Sequence, residues 1–228
     1  MDLDLLEEYL LIALDDDKGK FVIDSTHLHY GFGGAILLEL ALRHKVVIEE
    51  DYIRLVDSAL EKEVALNKAI ELLQDSSKVM KIKKLIDTLA KMASELKHDT
   101  LQRLMNKGIL KKEEHKILWL IPNDKYPTSN LSPENKVRER LKAVMLLGEK
   151  SEARDIMLLS LIDISDLTRE AFRDQEDYKE VKKKIKEVTQ DVKISSAINK
   201  SIREIQAAIM IAITTTMIVT TITTTSTH

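Results

Sequence analysis

Residues 31–43, GFGGAILLELALR, place three of the six glycines of the chain directly before nine residues of helix-forming sequence. Glycine tolerates positive φ and allows another group to approach the backbone closely. We therefore predict that the glycines precede the N-terminus of a helix over Ala35–Arg43. Free backbone N–H groups at such a terminus also suit an anion, which makes Phe32 and Gly33 candidate anion-binding residues.

The composition of the whole chain indicates a mainly α protein. Only six Gly and three Pro occur among 228 residues, and aromatic residues make up 4%. Tight turns are therefore too few for a β-sandwich or barrel. With 44% hydrophobic residues, we expect a single domain over residues 1–228, built as a central helical bundle ringed by amphipathic helices, with small peripheral β-hairpins.

Hydrophobic periodicity locates the other elements. It predicts helices at 3–14, 65–74, 78–95, 100–107, 134–147, 152–165, 167–172 and 175–190. Runs of β-branched residues predict a hairpin from 45–49 and 52–56, a short strand at 21–23, and a second hairpin from 109–111 and 116–121.

The C-terminal segment is ambiguous in sequence. Residues 205–228 carry no Asp, Glu, Lys or Arg; 12 of the 24 are apolar and nine are Thr. Their number would allow a membrane span, but the threonines make the segment less hydrophobic than a typical span. We favour a central buried helix or a strand-like tail, frayed at its polar end. A transmembrane helix and a tail that orders on a membrane or partner remain alternatives.

Several classes of chemistry are absent from the sequence. Without Cys there is no disulfide framework, thiolate zinc site or thiol nucleophile. His27 and His29 lack an acidic residue at a metal-binding spacing, and the glycines are not followed by the Lys and Ser or Thr of a phosphate-binding loop. The acidic N-terminus, MDLDLLEEYL, is unlike a targeting signal. We expect a cytoplasmic, non-enzymatic protein with no metal site and no cofactor. A helical enzyme whose carboxylates converge only in three dimensions remains an alternative.

Charge is distributed unevenly along the chain. Residues 1–63 hold 15 acidic and 6 basic side chains, a sum of −9, whereas residues 96–142 hold 6 acidic and 11 basic, a sum of +5. A local anion-binding site in this basic middle region is therefore compatible with the negative net charge of the chain.

Four basic residues alternate in the segment ENKVRERLK: Lys136, Arg138, Arg140 and Lys142. Arg138 and Lys142 are four residues apart and share one helix face. Lys136 and Arg140 share another, so either pair is able to clamp a phosphate. The alternative is that Glu134, Glu139 and solvent neutralise them.

A second hypothesis is a winged-helix-like module over Thr100–Ile121 that binds nucleic acid or protein. In this reading Lys107, Lys111, Lys112 and Lys116 face phosphates. The net charge of −3 speaks against it, so no nucleic-acid partner is expected.

Five segments occur in an order that resembles the Golgi phosphoprotein 3 family: LLEEYLL at 5–11, GFGGAILLELALR at 31–43, NKGIL at 106–110, VRERL at 137–141 and LLSLI at 158–162. The resemblance implies an almost all-helical domain with a central bundle and function by binding rather than catalysis. Eukaryotic members of the family attach peripherally to Golgi membranes through phosphatidylinositol 4-phosphate and hold the cytosolic tails of resident glycosyltransferases.

The resemblance also implies a headgroup site. The lipid pocket of the family uses basic residues that Arg138 and Arg140 match. It also uses an aromatic and an Arg near the glycine-rich helix, where this chain has Ile23 or Asp24 and Gly33. The segment between Arg140 and Leu158 is shorter than in eukaryotic members. These departures favour a prokaryotic-type member whose anionic ligand is undefined.

Overall fold

The computed structural model describes residues 2–114, 116–117, 121–122, 124–146, 151–190 and 196–225. The helices are α1 (Leu5–Ala13), α2 (Ser25–Leu42), α3 (Val64–Asp75), α4 (Ile82–Asn106), α5 (Ser132–Leu146), α6 (Ala153–Ile164), α7 (Thr168–Ala171), α8 (Tyr178–Gln190) and α9 (Ser196–Thr225). The strands are β1 (Val46–Glu49), β2 (Tyr52–Leu55), β3 (Val79–Lys81), β4 (Lys116–Ile117) and β5 (Ile121–Pro122). The predicted mainly α fold with small peripheral hairpins is confirmed.

The central helix, α2, begins at Ser25, well before the glycines. Asp24 caps it, because its Oδ1 accepts hydrogen bonds from the backbone N–H groups of Thr26 and His27 at 2.8 and 3.1 Å. The prediction that the glycines precede the helix is therefore wrong. Their N–H groups lie within the helix, where they bond to its carbonyls and are not offered to an anion.

The glycines serve packing instead. A Cβ atom added at Gly31 would lie 2.1 Å from the Tyr9 hydroxyl oxygen, and one at Gly34 would lie 2.4 Å from Cδ1 of Ile209. Only glycine lets α1 and α9 approach α2 this closely. Consequently α2 contacts α1, α3, α4, α6 and α9, and one hydrophobic cluster extends from Leu5 to Ile213.

The first hairpin forms as predicted. Strands β1 and β2 pair antiparallel, with Val46 opposite Leu55 and Glu49 opposite Tyr52. Strand β3, which the sequence did not predict, adds to the other edge of β2 in antiparallel orientation. The strand expected at 21–23 is absent; Phe21 forms only an isolated bridge with Leu14.

Two predicted helices, 78–95 and 100–107, are joined in α4, a single helix of 25 residues. The polar residues between them remain helical because Lys97 and Thr100 are buried and continue the inward face of α4. The second predicted hairpin, 109–111 with 116–121, is wrong in its pairing. Strands β4 and β5 both come from the end of that segment and pair antiparallel with each other, whereas Leu110 bridges Thr128 and Glu113 bridges Lys125. Residues 118–120 of its predicted strand lie outside the described residues.

Helix α9 settles the ambiguous C-terminal segment as far as Thr225. Its inner face, with Ile202, Ile205, Ile209 and Ile213, is buried in the hydrophobic cluster. Of the two favoured structures, the segment therefore adopts the helix, but it is buried on this face only. Its outer face is exposed. None of the helices in the described part of the chain is both long and apolar enough to cross a membrane.

Candidate functional site

Arg138 points into the protein and is surrounded by acceptors. The residue is 4% exposed, and its Nε donates to Glu134 Oε1 at 2.7 Å. Its Nη2 donates to Glu170 Oε1 at 3.1 Å, and its Nη1 to the Glu170 carbonyl. Two carboxylates from α5 and α7 therefore already neutralise this guanidinium, and little of it faces solvent.

Arg140 is also held by carboxylates, which come from distant parts of the sequence. Its Nε donates to Asp155 Oδ1 at 2.6 Å, and its Nη2 donates to the two Glu8 oxygens at 3.0 and 3.1 Å. Burial raises the pKa of Glu8, although the charge of Arg140 opposes this shift. The arrangement ties α5 to α1 and α6 and leaves Arg140 partly exposed.

Lys142 and Lys136, the other two basic residues of the predicted site, have different surroundings. Lys142 donates to Asp174 Oδ2 at 2.5 Å, whereas Lys136 is exposed on α5. Arg138 and Lys142 were predicted to clamp a phosphate together. Instead, Arg138 binds the carboxylate of Glu170 in α7, and Lys142 binds that of Asp174 just after α7. Lys136 and Arg140 do share a surface: with Arg154, Asp2 and Glu8 they line a depression of about 410 Å³.

Phe32 and Gly33 lie elsewhere. Phe32 is fully buried, and the nearest atoms to a Cβ added at Gly33 belong to Ile86 and Leu89, at 3.6 Å or more. Neither residue lines the depression beside Arg140. The structure therefore does not bring the six predicted site residues together on one surface.

Lys97, which the sequence analysis missed, has an environment unlike that of the other cations. The residue is 8% exposed, and its Nζ lies 4.7 Å from the centre of the Phe21 ring, a cation–π contact. Burial lowers the pKa of its ammonium to about 8, and no carboxylate among the described residues opposes that shift. Within the part of the chain that the structure describes, Lys97 is therefore a buried cation without a compensating anion.

His29 adds to this basic environment. Burial lowers the pKa of its imidazole, and the positive charge of Lys97 lowers it further. The nearby carboxylate of Asp24 is engaged with the α2 N-terminus and with His27 Nδ1, at 2.5 Å. Lys97, His29 and Phe21 thus form a small basic cluster beside the first half of α2, which we call the Lys97 cluster.

The burial of Lys97 was predictable from the sequence. The residue stands four positions after Ala93 and four before Leu101, on the apolar face of α4. A lysine at such a position is rarely buried without a partner. Ending the predicted helix at residue 95 concealed this spacing.

The lysines of the nucleic-acid hypothesis are mostly engaged within the chain. Lys107 Nζ lies 2.7 Å from Glu7 Oε2, Lys111 Nζ lies 3.0 Å from Glu113 Oε1, and Lys112 Nζ lies 3.0 Å from Asp124 Oδ2. The side chain of Lys116 is outside the described residues. The three described lysines therefore do not form the row of free cations that binding to a nucleic-acid backbone requires.

The fold and the Lys97 cluster together define a mainly helical domain with a candidate anion-binding site. Residues 5–205 match the family described as Golgi phosphoprotein 3 (GPP34). Because this match covers most of the 228 residues, the chain belongs to the Golgi phosphoprotein 3 family. The resemblance found in the sequence is confirmed, and most of α9 lies beyond the matched region.

Two fungal proteins are similar to the chain. Vacuolar protein sorting-associated protein 74 of Schizosaccharomyces pombe is 29% identical over 164 residues, covering 63% of this chain and 48% of the relative. The protein of the same name from Eremothecium gossypii is 25% identical over 165 residues, covering 63% and 49%. The chain thus spans about half the length of these curated relatives.

Proposed function

We propose that this protein is a non-catalytic adaptor that attaches peripherally to a membrane by binding an anionic lipid headgroup, with phosphatidylinositol 4-phosphate as the first candidate. Membership of the Golgi phosphoprotein 3 family supports an adaptor role, and the names of the fungal relatives link those proteins to vacuolar protein sorting. The expected protein partners of such an adaptor are the cytosolic tails of membrane proteins.

The observation that carries the proposal is the uncompensated charge of Lys97. A buried cation without a carboxylate has an unfavourable free energy of several kcal/mol, and the lowered pKa of Lys97 reflects this cost. A phosphate group beside the ammonium would remove the imbalance through charge-assisted hydrogen bonds. It would also favour protonation of the adjacent His29.

The depression lined by Lys136, Arg140 and Arg154 is the second candidate headgroup site. A headgroup there would have to compete with Glu8 and Asp155 for the Arg140 guanidinium. The Lys97 cluster has no such competitor among the described residues, so we place the headgroup at Lys97 first.

Vesicle flotation tests this proposal. The purified chain is mixed with neutral vesicles, generically anionic vesicles, or vesicles containing phosphatidylinositol 4-phosphate, at low and physiological salt. We expect selective binding to the last, and we expect Lys97→Met to weaken it at least about tenfold, which corresponds to about 1.4 kcal/mol. Lys62→Met, which removes an exposed lysine just before α3, is the matched control and should bind like the parent chain.

The other outcomes are equally informative. Loss of binding in Arg140→Ala but not in Lys97→Met would move the headgroup to the Arg140 depression. Equal binding to all anionic vesicles would reduce the interaction to surface electrostatics. Absence of binding to every vesicle would refute the membrane role.

A further inference from the structure

Helix α8 has a basic sequence, YKEVKKKIKEVTQ. Its five lysines and two glutamates give a net charge of +3 within 13 residues. Four of the lysines follow the spacing i, i+3, i+4 and i+7, which places them on one side of the helix. They are Lys179, Lys182, Lys183 and Lys186, and we call them the α8 lysine stripe.

The stripe faces away from the hydrophobic cluster. Val181 and Ile185, which are 4% and 0% exposed, mark the inward side of α8. At about 100° per residue, the stripe lies on the opposite side of the helix. Three of its lysines are exposed and Lys182 is partly exposed. The four ammonium groups are therefore accessible to a partner.

Ion pairs compensate the charge of the stripe only weakly. Lys182 Nζ lies 3.9 Å from Asp166 Oδ1, and Lys183 Nζ lies 3.9 Å from Glu187 Oε1. Exposed pairs at such distances contribute little free energy. The other two lysines of the stripe form no ion pair with any carboxylate in the described part of the chain.

A carboxylate on α6 opposes the charge of the stripe only in part. Asp163 interacts electrostatically with Lys182 and Lys186, but burial raises the pKa of its carboxyl, which disfavours the charged form. The two glutamates of α8, Glu180 and Glu187, are seven residues apart and lie along a neighbouring line of the helix. The stripe therefore presents charge of one sign, whereas a helix face that is merely solvated mixes both signs.

The stripe adjoins the Lys97 cluster at its Lys182 edge. Lys182 Nζ lies 5.9 Å from the centre of the Tyr178 ring, and Tyr178 lines a depression of about 360 Å³ together with residues 22–23. These residues directly follow Phe21, whose ring contacts Lys97. One short segment of chain therefore connects the two basic groups, on the side of α8 that carries the stripe.

The acidic residues of this depression are already paired. The pairs are Asp166 with Lys182, and Glu170 with Arg138 and Arg173. Arg169 also lines the depression, and its guanidinium lies 5.4 Å from the centre of the Tyr178 ring. An anionic surface that covers both the stripe and the Lys97 cluster would thus meet no unpaired carboxylate of this depression.

We propose that the α8 lysine stripe binds the anionic surface of a bilayer while the Lys97 cluster holds a headgroup. The inference rests on the proposed membrane function and adds a second contact that does not depend on the identity of the headgroup. Four lysines on an amphipathic helix are typical of binding to anionic lipids. A bilayer fits better than an acidic polypeptide, because protein interfaces centre on aromatic or apolar anchors and every member of the stripe is a lysine.

Paired substitutions on two helices test this contact. Lys179→Gln combined with Lys186→Gln removes two charges of the stripe that are seven residues apart. The matched control, Lys84→Gln combined with Lys91→Gln, removes two exposed lysines with the same spacing on α4. Flotation uses vesicles of neutral lipid with phosphatidylinositol 4-phosphate, and the same mixture with added phosphatidylserine. Circular dichroism shows that each variant remains helical.

On vesicles with phosphatidylserine at low salt, the α8 double variant should bind at least about tenfold more weakly than the parent chain. The control variant should bind like the parent, and salt should reduce the difference through screening. On vesicles without phosphatidylserine all three should bind alike, because only the Lys97 cluster then has an anionic partner. Lys179→Arg combined with Lys186→Arg should bind like the parent, since arginine keeps the charge.

Four results would overturn the inference. If the α8 double variant binds vesicles with phosphatidylserine like the parent while Lys97→Met does not, the stripe is not in contact with the bilayer and the proposed function still stands. Equal weakening on both kinds of vesicle would mean that the lysines act through the headgroup site. Absence of binding by the parent chain would refute both proposals. Capture of soluble polyglutamate by the parent but not by the α8 variant, with vesicle binding unchanged, would assign the stripe to an acidic polypeptide.

Discussion

Replacing Glu134 by Gln should change how the stability of the protein depends on pH. Glu134 lies in the first turn of α5, is 1% exposed, and accepts a hydrogen bond from Arg138 Nε at 2.7 Å. Burial raises the pKa of its carboxyl to about 7; the charge of Arg138 opposes the shift, and Asp16 reinforces it. The buried carboxyl is therefore protonated in the folded chain at pH values where it is ionised in the unfolded chain.

The direction and size of the effect follow from linkage. Because the folded-state pKa is the higher one, the stabilisation is fully present below pH 4.5 and is lost as the pH rises through 7. A shift from 4.5 to about 7 is worth about 3 kcal/mol in total, and most of this is lost between pH 5 and pH 8. Glutamine keeps an acceptor for Arg138 and does not titrate.

The assay is urea unfolding followed by far-ultraviolet circular dichroism at pH 5 and pH 8. The free energy of unfolding of the parent chain should fall by about 2–3 kcal/mol relative to Glu134→Gln across this interval. Glu139→Gln, which alters an exposed carboxyl on the same helix, should follow the parent chain. If the difference between Glu134→Gln and the parent is the same at both pH values, the burial argument for this carboxyl is wrong.

Two further predictions concern packing and buried charge. Lys97→Met should raise the free energy of unfolding at pH 7 by up to about 3 kcal/mol while it weakens headgroup binding, because a folded-state pKa of about 8 instead of 10.5 destabilises the charged form below pH 8. Thermal unfolding at pH 7 and pH 10 checks this prediction. A stability advantage over the parent chain that persists undiminished at pH 10 would contradict it. Gly34→Ala should cost about 1–3 kcal/mol because its Cβ would lie 2.4 Å from Cδ1 of Ile209. Gly33→Ala, whose nearest neighbour would be at 3.6 Å, should be neutral or stabilising by up to about 1 kcal/mol, and equal melting temperatures for the two variants would refute the packing role of Gly34.

Local sequence patterns determined the helical class, most of the helix positions, the first hairpin and the family. These features depend on neighbours within a few residues, through hydrophobic periodicity and β-branched runs. The same local view placed the start of α2 too late, because it assigned the glycines to a turn. Glycine is needed at Gly31 and Gly34 because Tyr9 and Ile209 approach α2 closely there, and only the packed helices reveal this approach.

Tertiary structure alone decided which cations are available. Arg140 is bound by Glu8 and Asp155, which are 132 and 15 residues away in sequence, so no local charge pattern could show that it is neutralised. The reverse holds for Lys97: that none of the described carboxylates compensates its charge appears only once α4 packs beside Phe21 and His29. Electrostatic interaction depends on distance and burial in space, not on separation along the chain.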